Sequence, residues 1–149
     1  MKKGIDYIGV GIGAVIVNKD RKIFLSQRGR NARNEKGRWE CPGGGLEFGD
    51  TFENTIIREI KEEFGIDIKI VDSLEPFNHL IPEEKQHWVA LCFVCKVVKG
   101  EPKILEPNKC QAIGWFTLKE MGNMDLTIAS RYRLKQIKEK YLKGPPNFY

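Results

Sequence analysis

The hydrophobic and polar positions of this chain change period several times, and the changes predict alternating strands and helices. An apolar run at residues 11–17 meets the polar cluster Asn18-Lys19-Asp20-Arg21 and is followed by a second apolar run at 22–26. That is the pattern of two strands joined by a tight turn. A polar, basic loop (29–38) leads to a short strand near 39–41, a glycine loop (43–49) and a helix over 51–64. Further strands are predicted at 67–73, 87–98 and 112–116, with loops holding Pro76 and Pro82, then Pro102 and Pro107, between them. A last helix, about 126–141, stops before Gly144-Pro145-Pro146. Strands flanked by two helices imply an α+β domain, layered as an α/β/α sandwich, with residues 1–149 as one unit.

Composition adds little that is unusual. With 149 residues, 41% hydrophobic and 30% charged, the chain suits one well-buried core. No window approaches the ~18 apolar residues of a membrane span, so a membrane partner is not expected. Met1-Lys2-Lys3 before the first apolar run loosely resembles an export signal, but Asp6 interrupts it and no small-x-small cleavage site follows. The expected location is therefore the cytoplasm. Four cysteines suit a reduced compartment. Cys92-x-x-Cys95 has zinc-like spacing, yet it lies in a predicted strand, where residues three apart face opposite ways, so buried free thiols are expected. The net charge of +5 is spread along the chain, with local excess at 28–38 and in the last helix. A polyanionic small molecule accounts for it as well as nucleic acid does.

The chemistry concentrates in Gly43-Gly44-Gly45-Leu46-Glu47-Phe48-Gly49-Asp50-Thr51 and the helix after it, which ends Arg58-Glu59-Ile60-Lys61-Glu62-Glu63-Phe64-Gly65-Ile66. Asp50 or Thr51 is the expected N-cap, Glu53 a capping-box partner of Asp50, and Gly65 the C-cap. At about 100° per residue, Phe52, Ile56, Ile57, Ile60 and Phe64 share one apolar arc. Arg58 and Lys61 lie away from it, whereas Glu59 and Glu63 fall at its edge. Like charges four apart destabilise a helix, and carboxylates beside a core lose hydration, so the pair calls for a cation. With Glu62 alongside, every donor is a hard oxygen, which favours Mg²⁺ or Mn²⁺ over zinc. The glycines let backbone approach a ligand closely.

These residues resemble a known family. Gly44, Asp50, Arg58-Glu59-Ile60, Glu62-Glu63 and Gly65-Ile66, at their spacing over residues 44 to 66, look like the Nudix box of the MutT-like hydrolases. Asp50 stands where that family usually has Glu. Trp39-x-x-Pro42-Gly43-Gly44 and Phe24-Leu25-x-x-Arg28 extend the likeness, which weakens after about residue 120. It implies the Nudix fold, a mixed sheet flanked by the box helix and a C-terminal helix, and hydrolysis of a phosphoanhydride bond. By the same resemblance Glu59, Glu62 and Glu63 with the Gly43 carbonyl hold the divalent ion, Glu59 or Glu63 deprotonates water, and Arg58 orients a glutamate of the helix. Arg28, Arg38, Gly44, Glu47, Trp39 and Phe77 are the candidates for substrate contact.

The substrate is less legible. Leu105-Glu106-Pro107-Asn108-Lys109-Cys110-Gln111, then Trp115-Phe116, looks like a block of relatives that release diphosphate from nucleoside triphosphates, including oxidised ones. Those relatives commonly carry Glu at the position of Gln111; if that Glu serves their chemistry, this chain does without it or recruits Glu106 or Glu47. Pro82 lies near where ADP-ribose-cleaving members carry a proline, which keeps a nucleoside diphosphate linked to a second group as the alternative. A third reading is a binding-only module for nucleotide or nucleic acid, disfavoured because every metal-site glutamate is present. Trp88 is a further stacking candidate, His79 is left open, and His87 is expected to be structural. The last helix reads as amphipathic with a solvated basic face. The partner expected is a small nucleotide rather than a nucleic acid, and the oligomeric state stays open, a homodimer among the options.

Overall fold

A computed structural model describes residues 1–149. Its elements are β1 (Gly9–Val17), β2 (Ile23–Arg28), β3 (Trp39–Glu40), β4 (Gly43–Gly45), α1 (Phe52–Phe64), β5 (Asp67–Ile81), β6 (Gln86–Lys99), β7 (Cys110–Phe116), α2 (Leu118–Gly122) and α3 (Ile128–Lys140), with one 3₁₀ turn at Pro82–Glu84. The strands form a mixed sheet in the order β3-β2-β1-β6-β5, with β7 on β2 and β4 on β1. β1 runs parallel to β6 from Gly9↔Trp88 to Val17↔Lys96; the other pairings are antiparallel.

β1 reads as a continuous apolar run because both of its faces are covered. Ile12, Ala14 and Ile16 pack with Ile56, Ile60 and Phe64 of α1. Val15 and Val17 turn the other way, toward Met121, Leu126, Leu134 and Ile137 of α2, α3 and the segment between them. The α+β architecture expected from the sequence is present. The same alternation puts Cys95 in the first cluster and Cys92 in the second, so the two sulfurs share no site. All four cysteines are free, and burial pushes the Cys92 thiol up to about 11.

Several expectations need correction. Residues 43–45 form a strand, not the start of a loop, because they pair with β1 at Gly13↔Gly43 and Gly11↔Gly45. β5 continues past the predicted end at residue 73 and carries Pro76 within it. It is an edge strand whose register shifts between Leu74 and Phe77, and a bulge there removes the need for a proline N–H. Phe52 is 43% exposed and Ile57 37%, so the buried stripe of α1 is instead Thr55, Ile56, Ile60 and Phe64. Thr51 alone caps α1, accepting from Asn54 N, and Glu53 forms no capping box. α2 was not anticipated, although Thr117 and Glu120 make a reciprocal capping box readable as Thr-x-x-Glu. The basic residues of α3 are not all solvated either, since Arg133 is buried.

One feature of the sheet positions the site. β1 and β2 pair only at Val17↔Ile23 and then separate, and the edge of β1 is taken further along by β4. The Pro42 carbonyl accepts from Ala14 N at 2.9 Å, fastening the glycine segment there. A cavity opens beside this separation.

Candidate functional site

The cavity, about 430 Å³, is lined by Arg28 and Glu40 from β2 and β3, Gly43 from β4, Glu63 from α1, and Asn108 and Lys109 from the segment before β7. Glycine is needed on its wall. A Cβ at Gly43 would stand 2.2 Å from Ile12 O, and one at Gly44 would stand 2.6 Å from Glu59 Cδ. Gly43 is thus held against the backbone of β1 and Gly44 against the carboxylate of Glu59, where the absence of a Cβ lets each approach.

That ridge lies beside the buried stripe, with Glu59 and Glu63 following Thr55 at four-residue steps. Gly65, left-handed at φ 73°, ends the helix by donating to Lys61 O. Two end carbonyls of the last turn, Glu63 O and Phe64 O, accept from Leu105 N at 3.1 Å and Lys103 N at 3.0 Å. This strap carries Glu106 and Lys109 to the acidic helix. Sequence reading had Glu106 only as a stand-in for a missing Glu. It missed Glu40, which an isolated carboxylate in a two-residue strand does little to advertise.

The carboxylates repel one another and are poorly hydrated. Burial pushes Glu63 up to about 7, helped by Glu59 and Glu106 and opposed by Lys109. Burial also raises Glu59, with Glu62 adding to it and Arg58 and Lys109 opposing. Glu40 is raised by burial against the pull of Arg28. Glu106 Oε2 is buried without a hydrogen bond; Lys109 Nζ is 3.0 Å away, but not in hydrogen-bonding alignment. No three of these carboxylates already converge as a cation shell. Glu59 keeps 22% side-chain exposure beside Gly44, while Glu62 leans outward at 55%. The donor set, all hard oxygen with a buried orphan among it, fits a hard divalent ion once the glutamate side chains rotate.

Arg58 pairs first with Asp50 through Nη1 and Oδ2, where the sequence suggested a helix glutamate. Glu59 and Glu62 each lie 3.9 Å from its guanidinium. Arg28 is fully engaged, donating to Asn34 O at 3.1 Å, Asn34 Oδ1 at 3.0 Å and Glu40 at 3.3 Å. Glu47 pairs outside this group with Lys3 Nζ at 2.7 Å.

Other candidates fall elsewhere. Trp39 packs edge-to-face on Phe116 at 5.2 Å within the α3-side core. Trp88 lies over Gly4 and Gly9 and donates to Gln86. His87 is hydrogen-bonded to Asn78 at 3.0 Å. Arg38 and Phe77 instead line a second cavity of about 750 Å³, with His79, Leu80, Arg131 and Tyr132. The loop at 29–38 serves both cavities, giving Asn31 and Ala32 to the first and Arg38 to the second.

The profile of the NUDIX domain matches residues 8–137. An RNA pyrophosphohydrolase of Orientia tsutsugamushi (strain Boryong) is 31% identical over 127 residues, 83% of this chain and 68% of that protein. An ADP-ribose pyrophosphatase of Methanocaldococcus jannaschii is 36% identical over 88 residues, 59% of this chain and 51% of that one. The crystal structure of a MutT NUDIX hydrolase from Burkholderia pseudomallei, 35% identical, superposes with a TM-score of 0.77 over 87% of this chain and 97% of that one. The chain spans between 35% and 68% of the length of these and similar curated relatives. No helix is long and apolar enough to cross a membrane. Nudix hydrolases generally use divalent metal cations and act on nucleotide pyrophosphate bonds. The chain belongs to the Nudix hydrolase family.

Proposed function

We propose that this chain hydrolyses a nucleoside triphosphate, common or oxidised, to the nucleoside monophosphate and pyrophosphate. The observation that carries the reading is the crowding of Glu40, Glu59 and Glu106 around Glu63, which with Glu40 and Gly43 lines one cavity. So many carboxylates with so little compensating charge suit a protein that works with a cation bound.

Glu59, Glu62 and Glu63 with the Gly43 carbonyl would hold that ion, Mg²⁺ or Mn²⁺, and Glu106 supplies a further oxygen from outside the helix. When bound, the ion supplies positive charge against the phosphate oxygens. The remaining work belongs to the side chains. Glu59 or Glu63 takes a proton from water, and Arg58, held by Asp50, fixes the helix face that presents them. Gly44 leaves Glu59 its room. Arg28 keeps Glu40 in place rather than reaching for phosphate. The second cavity, with Phe77, Tyr132 and Arg38, takes the nucleoside, since the 29–38 loop borders both spaces.

A second reading has one observation behind it. The archaeal relative named ADP-ribose pyrophosphatase is 36% identical over the stretch it shares. The test is a substrate panel with Mg²⁺ and product identification, covering common and oxidised triphosphates, ADP-ribose and RNA bearing a 5′-triphosphate. Pyrophosphate with a nucleoside monophosphate supports the first reading. AMP with a sugar phosphate supports the second. An inert protein overturns both.

A further inference from the structure

The acidic cavity has two basic side chains on its wall, and only one of them is uncommitted. Arg28 donates to Asn34 and Glu40 through Nε, Nη1 and Nη2. Lys109 makes one ion pair, to Glu106 Oε2 at 3.0 Å, and its side chain is 62% exposed. Its backbone is fixed at both ends. Lys109 N donates to Glu106 O at 3.0 Å, and Lys109 O accepts from Gly29 N at 3.2 Å. The root of the side chain is therefore anchored while the ammonium is free to swing on a flexible stem.

Resting on the hydrolase reading above, we propose that Lys109 is a built-in counter-ion. It neutralises the glutamates while no divalent ion is bound, gives them up when one arrives, and then grips a phosphate oxygen of the substrate. Glu106 Oε2 is the contested atom. It is buried, lacks a hydrogen bond and has Lys109 as its ion-pair partner, so ammonium and divalent ion compete for it. The position suits a cation on other grounds. Lys109 lines the same cavity as Glu63 of α1, so its ammonium stands among the glutamates it would neutralise. Once displaced, it still lines the cavity the phosphates would enter.

The competition is measurable without turnover. Mn²⁺ is titrated into the chelator-stripped protein and into Lys109→Met, at low and high salt. With the competing charge gone, the variant should bind Mn²⁺ about three- to tenfold more tightly at low ionic strength, and the difference should shrink as salt rises. With Mn²⁺ saturating, inorganic pyrophosphate should bind the variant about tenfold more weakly, having lost one charge-assisted contact. A lysine that merely braced the loop would shift neither in these directions. Mn²⁺ affinity equal to or below wild type overturns the counter-ion role, and unchanged pyrophosphate binding overturns the substrate role. If neither protein binds Mn²⁺, both this proposal and the hydrolase reading fall. Binding by both with equal affinity overturns Lys109 alone.

Discussion

Gly44 and Glu59 stand so close that a Cβ on the glycine would lie 2.6 Å from the carboxyl carbon of the glutamate. The neighbouring glycine is confined differently, since a Cβ on Gly43 would meet the backbone oxygen of Ile12 at 2.2 Å. A flexible carboxylate can move aside and a strand carbonyl cannot. Gly44→Ala is therefore expected to leave stability within about 1 kcal/mol of wild type, while turnover falls about 100-fold through displacement of Glu59. Gly43→Ala should cost about 1–3 kcal/mol of stability by overpacking. Thermal melts and steady-state rates of the two variants separate these effects. Equal loss of activity at equal stability in both would show that the glycines do not divide the work this way.

Glu63 is ionised at some expense to the fold. Burial, with Glu59 and Glu106, raises its carboxyl from 4.5 to about 7. A folded-state value above the unfolded one means the native state holds the proton more tightly. The stability that goes with it is present below about pH 4.5 and is lost as pH rises toward about 7. In chelator this group by itself should make the wild type melt lower at pH 8 than at pH 5. Mg²⁺ should recover the difference. Glu63→Gln should remove that part of the pH dependence, melt higher than wild type in chelator at pH 8, and lose orders of magnitude in turnover. A variant that is both active and no more stable would contradict the role given to this side chain.

How much of this was legible in the sequence depends on whether a signal is local. The box helix was, because its 3.6-residue period and Gly65 cap are set by neighbours in the chain. The opposed faces of Cys92 and Cys95 followed from strand geometry alone. Residues 43–45 read as a loop because three glycines lack strand propensity; the pairing that makes them a strand comes from β1, some thirty residues away. Pro76 stopped the predicted strand because a proline usually does, and only the bulge and the edge position excuse it. Glu40 and Lys109 reach the cavity from segments distant in the chain, and no periodicity encodes such a meeting.

Asp50 occupies the position where the family usually has Glu, and it is the first partner of Arg58. Its carboxyl is held below the usual range by the hydrogen bond from that guanidinium, and it also accepts from Thr51 N. The pair ties the start of α1 to the middle of the acidic ridge. Asp50→Ala should release Arg58 toward Glu59 and Glu62, both 3.9 Å away, and so weaken their hold on a cation. We expect a 10- to 100-fold drop in turnover or Mn²⁺ affinity, as is typical when support of a ligand is removed. Asp50→Glu should stay within a few-fold of wild type, because a carboxylate on a flexible, slightly longer stem still reaches Arg58. If Asp50→Ala were as active as Asp50→Glu, the pair would be only a surface ion pair.

The second cavity offers a way to divide fold from recognition. Phe77 is held on one side by Arg133, whose guanidinium lies 4.5 Å from its ring, and it packs against Tyr132 at 4.3 Å. Arg133 is 5% exposed and spends its donors on Glu75 O, Ala90 O and Gln136 Oε1, so it braces the β5 bulge against β6. Removing it would take a donor from Ala90 O, at about 1–3 kcal/mol, whereas Glu75 O keeps the one from Gln136 Nε2 at 2.9 Å. Tyr132 is 43% exposed and supports nothing comparable. Tyr132→Ala should leave the melting temperature near wild type and raise KM about tenfold, a loss within the range of about 1–3 kcal/mol for base–aromatic stacking, with kcat changed only a few-fold. Arg133→Met should lower the melting temperature, and raise KM only as far as Phe77 is displaced. Unchanged KM in Tyr132→Ala, measured on whichever nucleotide the substrate panel selects, would place the nucleoside outside this cavity and leave the acidic site to act on phosphate alone.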